Sequence, residues 1–212
     1  VKILNIHGIW PPVTRVTFPR IFQGSYGGFF RIAFWVAGVV LRLRKWLLLP
    51  TKYERRIRRS LRAMAPQIER LLRDLPPDRM RMHICWGSTM APRHTDVPLK
   101  DIVDIVLTGR PAAISFPAAN ARHEHEWKIW RDVKLPAGKT IIPGVIDSTV
   151  NTVEHPEVVC DRILNFASVV GRENVIAGVD CGFGTFAGFG AVDPEIAWAK
   201  LATLKEGARR VA

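Results

Sequence analysis

Three side chains in this sequence are of the types that grip a soft metal ion. His83 and Cys85 stand two residues apart in Met82-His83-Ile84-Cys85-Trp86-Gly87, at the end of an apolar run that opens near Met80. On a β-strand side chains alternate at period two, so the imidazole and the thiol point to the same side. Two such donors on one rigid element make half of a tetrahedral zinc site. The best partner for the other half is Cys181, in Val179-Asp180-Cys181-Gly182, 96 residues after Cys85 and again at the end of an apolar run. By itself a His-x-Cys pair is weak evidence, because a small buried cysteine beside a satisfied histidine is the commoner arrangement. A second cysteine at the end of another strand strengthens the metal reading.

The elements that must carry these residues fall into two parts. Of the 212 residues, 48% are hydrophobic, enough for a sizeable core. The net charge of +12 lies wholly in residues 1–80, where 16 Lys+Arg face 4 Asp+Glu, while residues 81–212 hold 15 of each. Three cysteines argue against a disulfide framework and for a reducing compartment, so a cytoplasmic location is expected. Residues 1–60 read as an atypical basic and apolar leader: one short strand over Val1–Ile6, then Pro and Gly breakers.

The apolar stretch Phe29–Leu49 has an uninterrupted core of only Ile32–Leu41, against the about 20 residues a spanning helix needs. It reads as a buried or interface helix, with a membrane-surface segment as the rival. Tyr53–Leu75 reads as an amphipathic helix, kinked at Pro66, whose arginines form its solvated face. Without interleaved aromatic residues or a recognition motif, no nucleic-acid partner is expected.

From residue 78 the pattern changes. Strands are expected over Met80–Cys85, Ala112–Phe116, Thr140–Ile146 and Asn174–Val179, about 30 residues apart, the length of a βα unit. Helices open at Pro98, Pro156 and Asp193-Pro194 and are expected to close at Gly109, Gly171 and Gly207. A further helix is expected over His125–Val133. The last helix would bury Ala197, Trp198, Leu201 and Leu204. Successive βα units imply an α/β fold with a parallel sheet, doubly wound or part of a barrel, with its chemistry at the carboxyl ends of the strands. His83, Cys85, Asp147, Asp180 and Cys181 all fall there. Gly182, Gly184, Gly188 and Gly190 read as a flexible mouth loop, since their spacing does not fit a dinucleotide fingerprint. Arg122-His123-Glu124-His125-Glu126 reads as a charged helix start rather than a metal cluster.

Several motifs keep order and spacing with a known family. They are His83-Ile84-Cys85-Trp86-Gly87, Ser115-Phe116 with Ala118-Ala119-Asn120, Arg122–Trp127, Gly144–Thr149, Val153–Glu157 and Ala177–Thr185. Together they resemble the cobalamin-independent methionine synthase superfamily over about residues 76–210, closest to its short branch with epoxyalkane–coenzyme M transferase. The resemblance implies a TIM (β/α)8-type barrel, here its C-terminal half over residues 61–212. It implies Zn2+ held by His83, Cys85 and Cys181, and a small-molecule thiol that takes a methyl or alkyl group from a methyl-folate or an epoxide. Asp147 and Asp180 would serve catalysis, and Ser115, Asn120, Asp147 and Glu157 would bind substrate.

The sequence departs from the family pattern at three points. Pro117, which cannot coordinate, stands where a glutamate is usual: either three protein ligands suffice with substrate or water in the fourth place, or Glu124 reaches in as a replacement ligand. Ser148 and Thr149 stand where a proton-donating histidine follows the aspartate. Only half a barrel is visible: either this is a C-terminal piece behind an unrelated leader, or the chain pairs with a second copy or a complementing chain to close its sheet edges. The rival to an enzyme is a catalytically inactive partial barrel that binds a partner or a membrane surface.

Overall fold

The computed structural model describes residues 2–5, 52–87, 96–186, 189–190 and 192–212. The apolar stretch Phe29–Leu49 and Gly188 lie outside the described residues. The chain forms two compact units, Val1–His7 with Ser60–Ala212, and Gly8–Arg59. Of the second, Lys52–Arg59 is described and is helical.

The sheet contains β1 (Lys2–Asn5), β2 (Met80–His83), β3 (Ala113–Phe116), β4 (Thr140–Ile146) and β5 (Gly178–Val179). All are parallel and lie in chain order, with Asn5 beside His83, His83 beside Ser115, and Ser115 beside Ile142. This order separates the two architectures that periodicity leaves open. A doubly wound sheet reverses direction at a switch point. Here the strands follow one another in chain order without a reversal, the pattern of a barrel segment. Such a sheet is a curled half-barrel. Its first strand comes from the segment that the sequence reading assigns to the leader.

β4 matches its expected bounds, and six of its seven residues are buried, as a central parallel strand requires. Ile114, Phe116, Ile141, Val145 and Ile146 are buried on the strands and Val159, Ile163 and Phe166 on the helix that follows β4; Val145 and Ile146 pack with Val159 and Ile163, and Phe116 meets Phe166 edge-on. That helix is α3 (Pro156–Val170), which Pro156 opens and Gly171 ends at φ 86. α1 (Lys52–Leu72) continues through Pro66. Glu69 near its end accepts from the Arg110 N–H at 2.8 Å, and Arg110 Nη2 donates to Leu75 O at 3.1 Å. Between β2 and β3 the expected helix is a 3-10 turn, Leu99–Asp101, and a short α2 (Val103–Leu107). After β3, Glu124–Arg131 is 3-10 rather than α-helical.

Four expectations are corrected. The fourth predicted strand begins late: Arg172–Asn174 is a 3-10 turn, Val175 makes a single bridge to Ile141, and pairing resumes at Gly178. Gly178 lets the strands close in, since a Cβ there would lie 2.8 Å from Ile142 Cγ2. Part of the glycine-rich mouth loop is an antiparallel pair, β6 (Gly184–Phe186) and β7 (Phe189–Gly190). Gly207 does not stop the last helix, because α4 (Pro194–Val211) runs through it. Its role is close approach: a Cβ at Gly207 would lie 2.6 Å from Val159 Cβ, so α4 seats directly on α3. Trp198 is 73% exposed, and the buried stripe of α4 instead carries Lys200, Thr203 and Gly207.

Among the described residues, no helix is long and apolar enough to cross a membrane.

Candidate metal centre

His83 ends β2, Cys85 follows it by two residues, and Cys181 follows β5 by two. β2 and β5 are three interstrand steps apart, about 14 Å on a flat sheet, where side chains would also stand parallel. Here Cys85 Sγ lies 3.0 Å from Cys181 Sγ, and His83 Nε2 lies 3.2 Å from the same sulfur. Curling of the sheet, which aims its concave face inward, brings them together. One donor atom from each residue falls within 4.8 Å of the others.

The surroundings fix these donors. His83 Nδ1 lies 3.0 Å from Ser115 Oγ on the adjacent strand. With Nδ1–H donating to that hydroxyl, Nε2 keeps its lone pair for a metal. Cys85 Sγ accepts from the Gly87 N–H at 3.1 Å. Hydrogen bonding to Cys181 is the strongest influence on the Cys85 thiol. Burial opposes it, and His83 and the Gly87 amide reinforce it, so the pKa falls from 9.0 to about 4. The lowered pKa favours the thiolate, the form that ligates metals. Ser148 Oγ accepts from the buried Cys181 N–H at 3.1 Å.

Asp180 turns away from this work. It is 2% exposed, and its Oδ1 accepts from the Ala118 and Ala119 N–H groups at 2.8 Å, while Oδ2 accepts from the Asn120 N–H at 2.8 Å. Burial pushes its pKa up to about 6 against those three amides. These bonds make Asp180 a staple that joins the turn after β3 to the residue before Cys181. Gly144 makes room for it, because a Cβ there would lie 2.7 Å from the Asp180 Cα and N. Backbone cannot yield as a side chain can. Gly144→Ala is expected to destabilise the protein by about 3 kcal/mol, read from chemical denaturation, and to weaken metal binding through the shifted Cys181.

Asp147, just past β4, is held at every polar atom. Its Oδ1 accepts from the Thr149 N–H at 2.8 Å and the Thr149 hydroxyl at 2.6 Å, and its Oδ2 from Asn120 Nδ2 at 3.0 Å. Its N–H donates to Glu154 Oε1 at 2.8 Å, and its carbonyl accepts from Lys200 Nζ at 3.0 Å. Lys200 is fully buried and also pairs with Glu154 Oε2 at 2.9 Å.

A second buried network backs the turn that carries Cys85. Trp86 donates from Nε1 to Val97 O at 2.7 Å and stacks on His123 with ring centroids 4.3 Å apart. His123 lies between Asp96 and Glu126, at 3.2 and 2.9 Å. Glu126 also accepts from the Leu99 N–H at 2.6 Å, and Arg122 Nη1 donates to Asp96 at 3.1 Å. Burial works against charge on His123, but the two carboxylates overcome it and raise its pKa from 6.5 to about 8. A raised histidine stabilises the fold fully below its ordinary pKa and loses that contribution as pH rises through the folded value. Stability is thus expected to fall by roughly 2 kcal/mol between about pH 6.5 and 8.5. Denaturation midpoints across that range check it, and His123→Gln should flatten the profile.

The structure brings together His83, Cys85, Cys181, Ser115, Asn120, Asp147 and Asp180 in one connected network. Two predicted residues fall outside it. Glu124, the expected replacement ligand, is exposed at the first turn of its 3-10 helix and is absent from the metal-competent group. Glu157 is 62% exposed at its side chain and pairs with Arg210 of α4. Sequence reasoning missed the Glu154–Lys200 clamp, the Ser148 contact and the role of His123. Lys200 carried a signal, since it is three residues from Ala197 and four from Leu204, on the buried stripe.

Two sulfurs and an imidazole form a donor set that suits zinc over hard cations. Tetrahedral zinc spaces its sulfurs roughly 3.8 Å apart, so the three residues fit the ion after a small spreading, with a fourth place left open. A singly wound parallel half-barrel with these donors at the carboxyl ends of its strands defines the class: a barrel-type α/β chain with a candidate metal centre. Among solved structures, it is similar in fold to a B12-independent methionine synthase from Shewanella sp. W3-18-1, determined in complex with selenomethionine. The identity is 19%, the TM-score 0.54, and the match covers 69% of this chain and 42% of that one. The chain thus spans less than half the length of that protein. No family model matches, and no curated protein matches.

Proposed function

We propose that this chain transfers a methyl or alkyl group to a thiol, with zinc held by His83, Cys85 and Cys181. The observation that carries the reading is the convergence of those three donor atoms within 4.8 Å at the mouth of the half-barrel. When bound, zinc supplies the Lewis acidity that lets an acceptor thiol react as thiolate at neutral pH. Ser115 holds the His83 ring in the ligating tautomer, while Ser148 and Asp180 hold the Cys181 peptide. Asp147, oriented by Asn120 and Thr149, binds the polar group of the acceptor. The acceptor is of the homocysteine or coenzyme M type, and the donor a methyl-folate or a short epoxide.

The test is direct. Purified protein reconstituted with zinc should retain one equivalent after desalting and should form the S-alkylated thiol, read by mass spectrometry, from one of these donor and acceptor pairs. Retention of no zinc would overturn the reading.

A further inference from the structure

None of the three cysteines is in a disulfide, but they are not equivalent. Cys160 is buried on α3, where its S–H reaches Gly207 O of α4 at 3.4 Å. Cys85 is half-buried, and its sulfur already lies 3.0 Å from the sulfur of Cys181. A disulfide needs about 2.05 Å, so roughly 1 Å of closure suffices. The flanking backbone is tied down on both sides. The Gly87 amide holds Cys85, and Ser148 with the Asp180 staple holds Cys181. Neither thiol is free to swing far from the other.

We propose that Cys85 and Cys181 are an oxidative modification site: in the metal-free protein they close into a disulfide on exposure to a small-molecule disulfide, and this shuts the metal centre. In the first step the Cys85 sulfur attacks one sulfur of the small disulfide and displaces one small thiol. In the second the Cys181 sulfur attacks the Cys85 sulfur and displaces the other. Two protein thiols are oxidised, one small disulfide is reduced to two thiols, and the two protons leave with them. The product leaves His83 as the sole donor of the three. Bound metal shields both sulfurs, so metal occupancy and oxidation exclude each other.

The proposal shares its residues with the thiol-transfer reading but does not need that activity. The full chain is stripped with a chelator, incubated with oxidised glutathione, and compared with zinc-loaded protein. The stripped form is expected to fall from three titratable thiols to one, to lose about 2 Da, and to yield a peptide pair linking Cys85 to Cys181. It should then bind no zinc until dithiothreitol restores all three thiols. Zinc-loaded protein should resist. Cys160→Ser should behave as wild type apart from its missing thiol, and Cys85→Ser should form no internal link. Three thiols remaining, a stable glutathione adduct at Cys85, or a bridge to Cys160 would each overturn the proposal. Disulfide formation in a protein that never retains zinc sinks the transfer reading alone, and zinc binding without disulfide formation sinks this one alone.

Discussion

Cys181→Ser is expected to lower zinc affinity by roughly a thousandfold. Zinc held by a full protein ligand set contributes about 10–16 kcal/mol, so one thiolate accounts for roughly 3–4 kcal/mol of it. A hydroxyl is a poor substitute at neutral pH because it stays protonated. The loss should be sharper than for a surface ligand, since the Cys181 peptide is fixed by Ser148 and the neighbouring staple and cannot move to recruit another donor. Competition titration against a chromogenic chelator measures it. Cys160→Ser, on the α3–α4 seam, should leave affinity unchanged. An affinity within tenfold of wild type in Cys181→Ser would show that the ion is held elsewhere.

Lys200→Met should destabilise the fold by about 3–5 kcal/mol, because it leaves the Glu154 carboxylate buried without its counter-charge. Met has nearly the same length, so lost packing is a minor part. The nearest remaining cation is Arg162, whose Nη1 lies 4.0 Å from Glu154 and is already donating to Val145 O at 3.1 Å. Adding Glu154→Gln removes the stranded charge and keeps an amide oxygen for the Asp147 N–H. The double variant is expected to regain most of the loss, ending within about 2 kcal/mol of the parent. Urea denaturation of the four proteins completes the cycle. If the double variant is as unstable as the single one, the clamp contributes by packing rather than by charge.

The sequence carried the positions of the donors better than their supports. Period-two alternation placed His83 and Cys85 on one side, and the apolar run before Cys181 placed it at a strand end, because both patterns are local. β4 was legible for the same reason: a buried parallel strand is apolar throughout. The tether at Asp180 was not legible because a carboxylate at a strand end looks the same whether or not three backbone amides hold it, and those amides are about 60 positions away. Gly207 was read as a stop because a glycine after an apolar stripe usually is one. Only the neighbouring helix shows that the space is needed. Strand order, which decides between a doubly wound sheet and a barrel, has no local signature at all.

The spread of the donors along the chain sets what kind of change the protein tolerates. His83 and Cys85 sit on one peptide stretch and Cys181 on another, with two whole strand–connection modules between them. Lengthening a surface connection there leaves the modules in step and costs little, since loop closure grows only with the logarithm of length. Deleting one module would misalign the donors by an interstrand spacing, about 4.8 Å, twice a zinc–sulfur bond. The centre therefore tolerates change in the length of its connections but not in the number of its repeats, and no excised peptide can carry it.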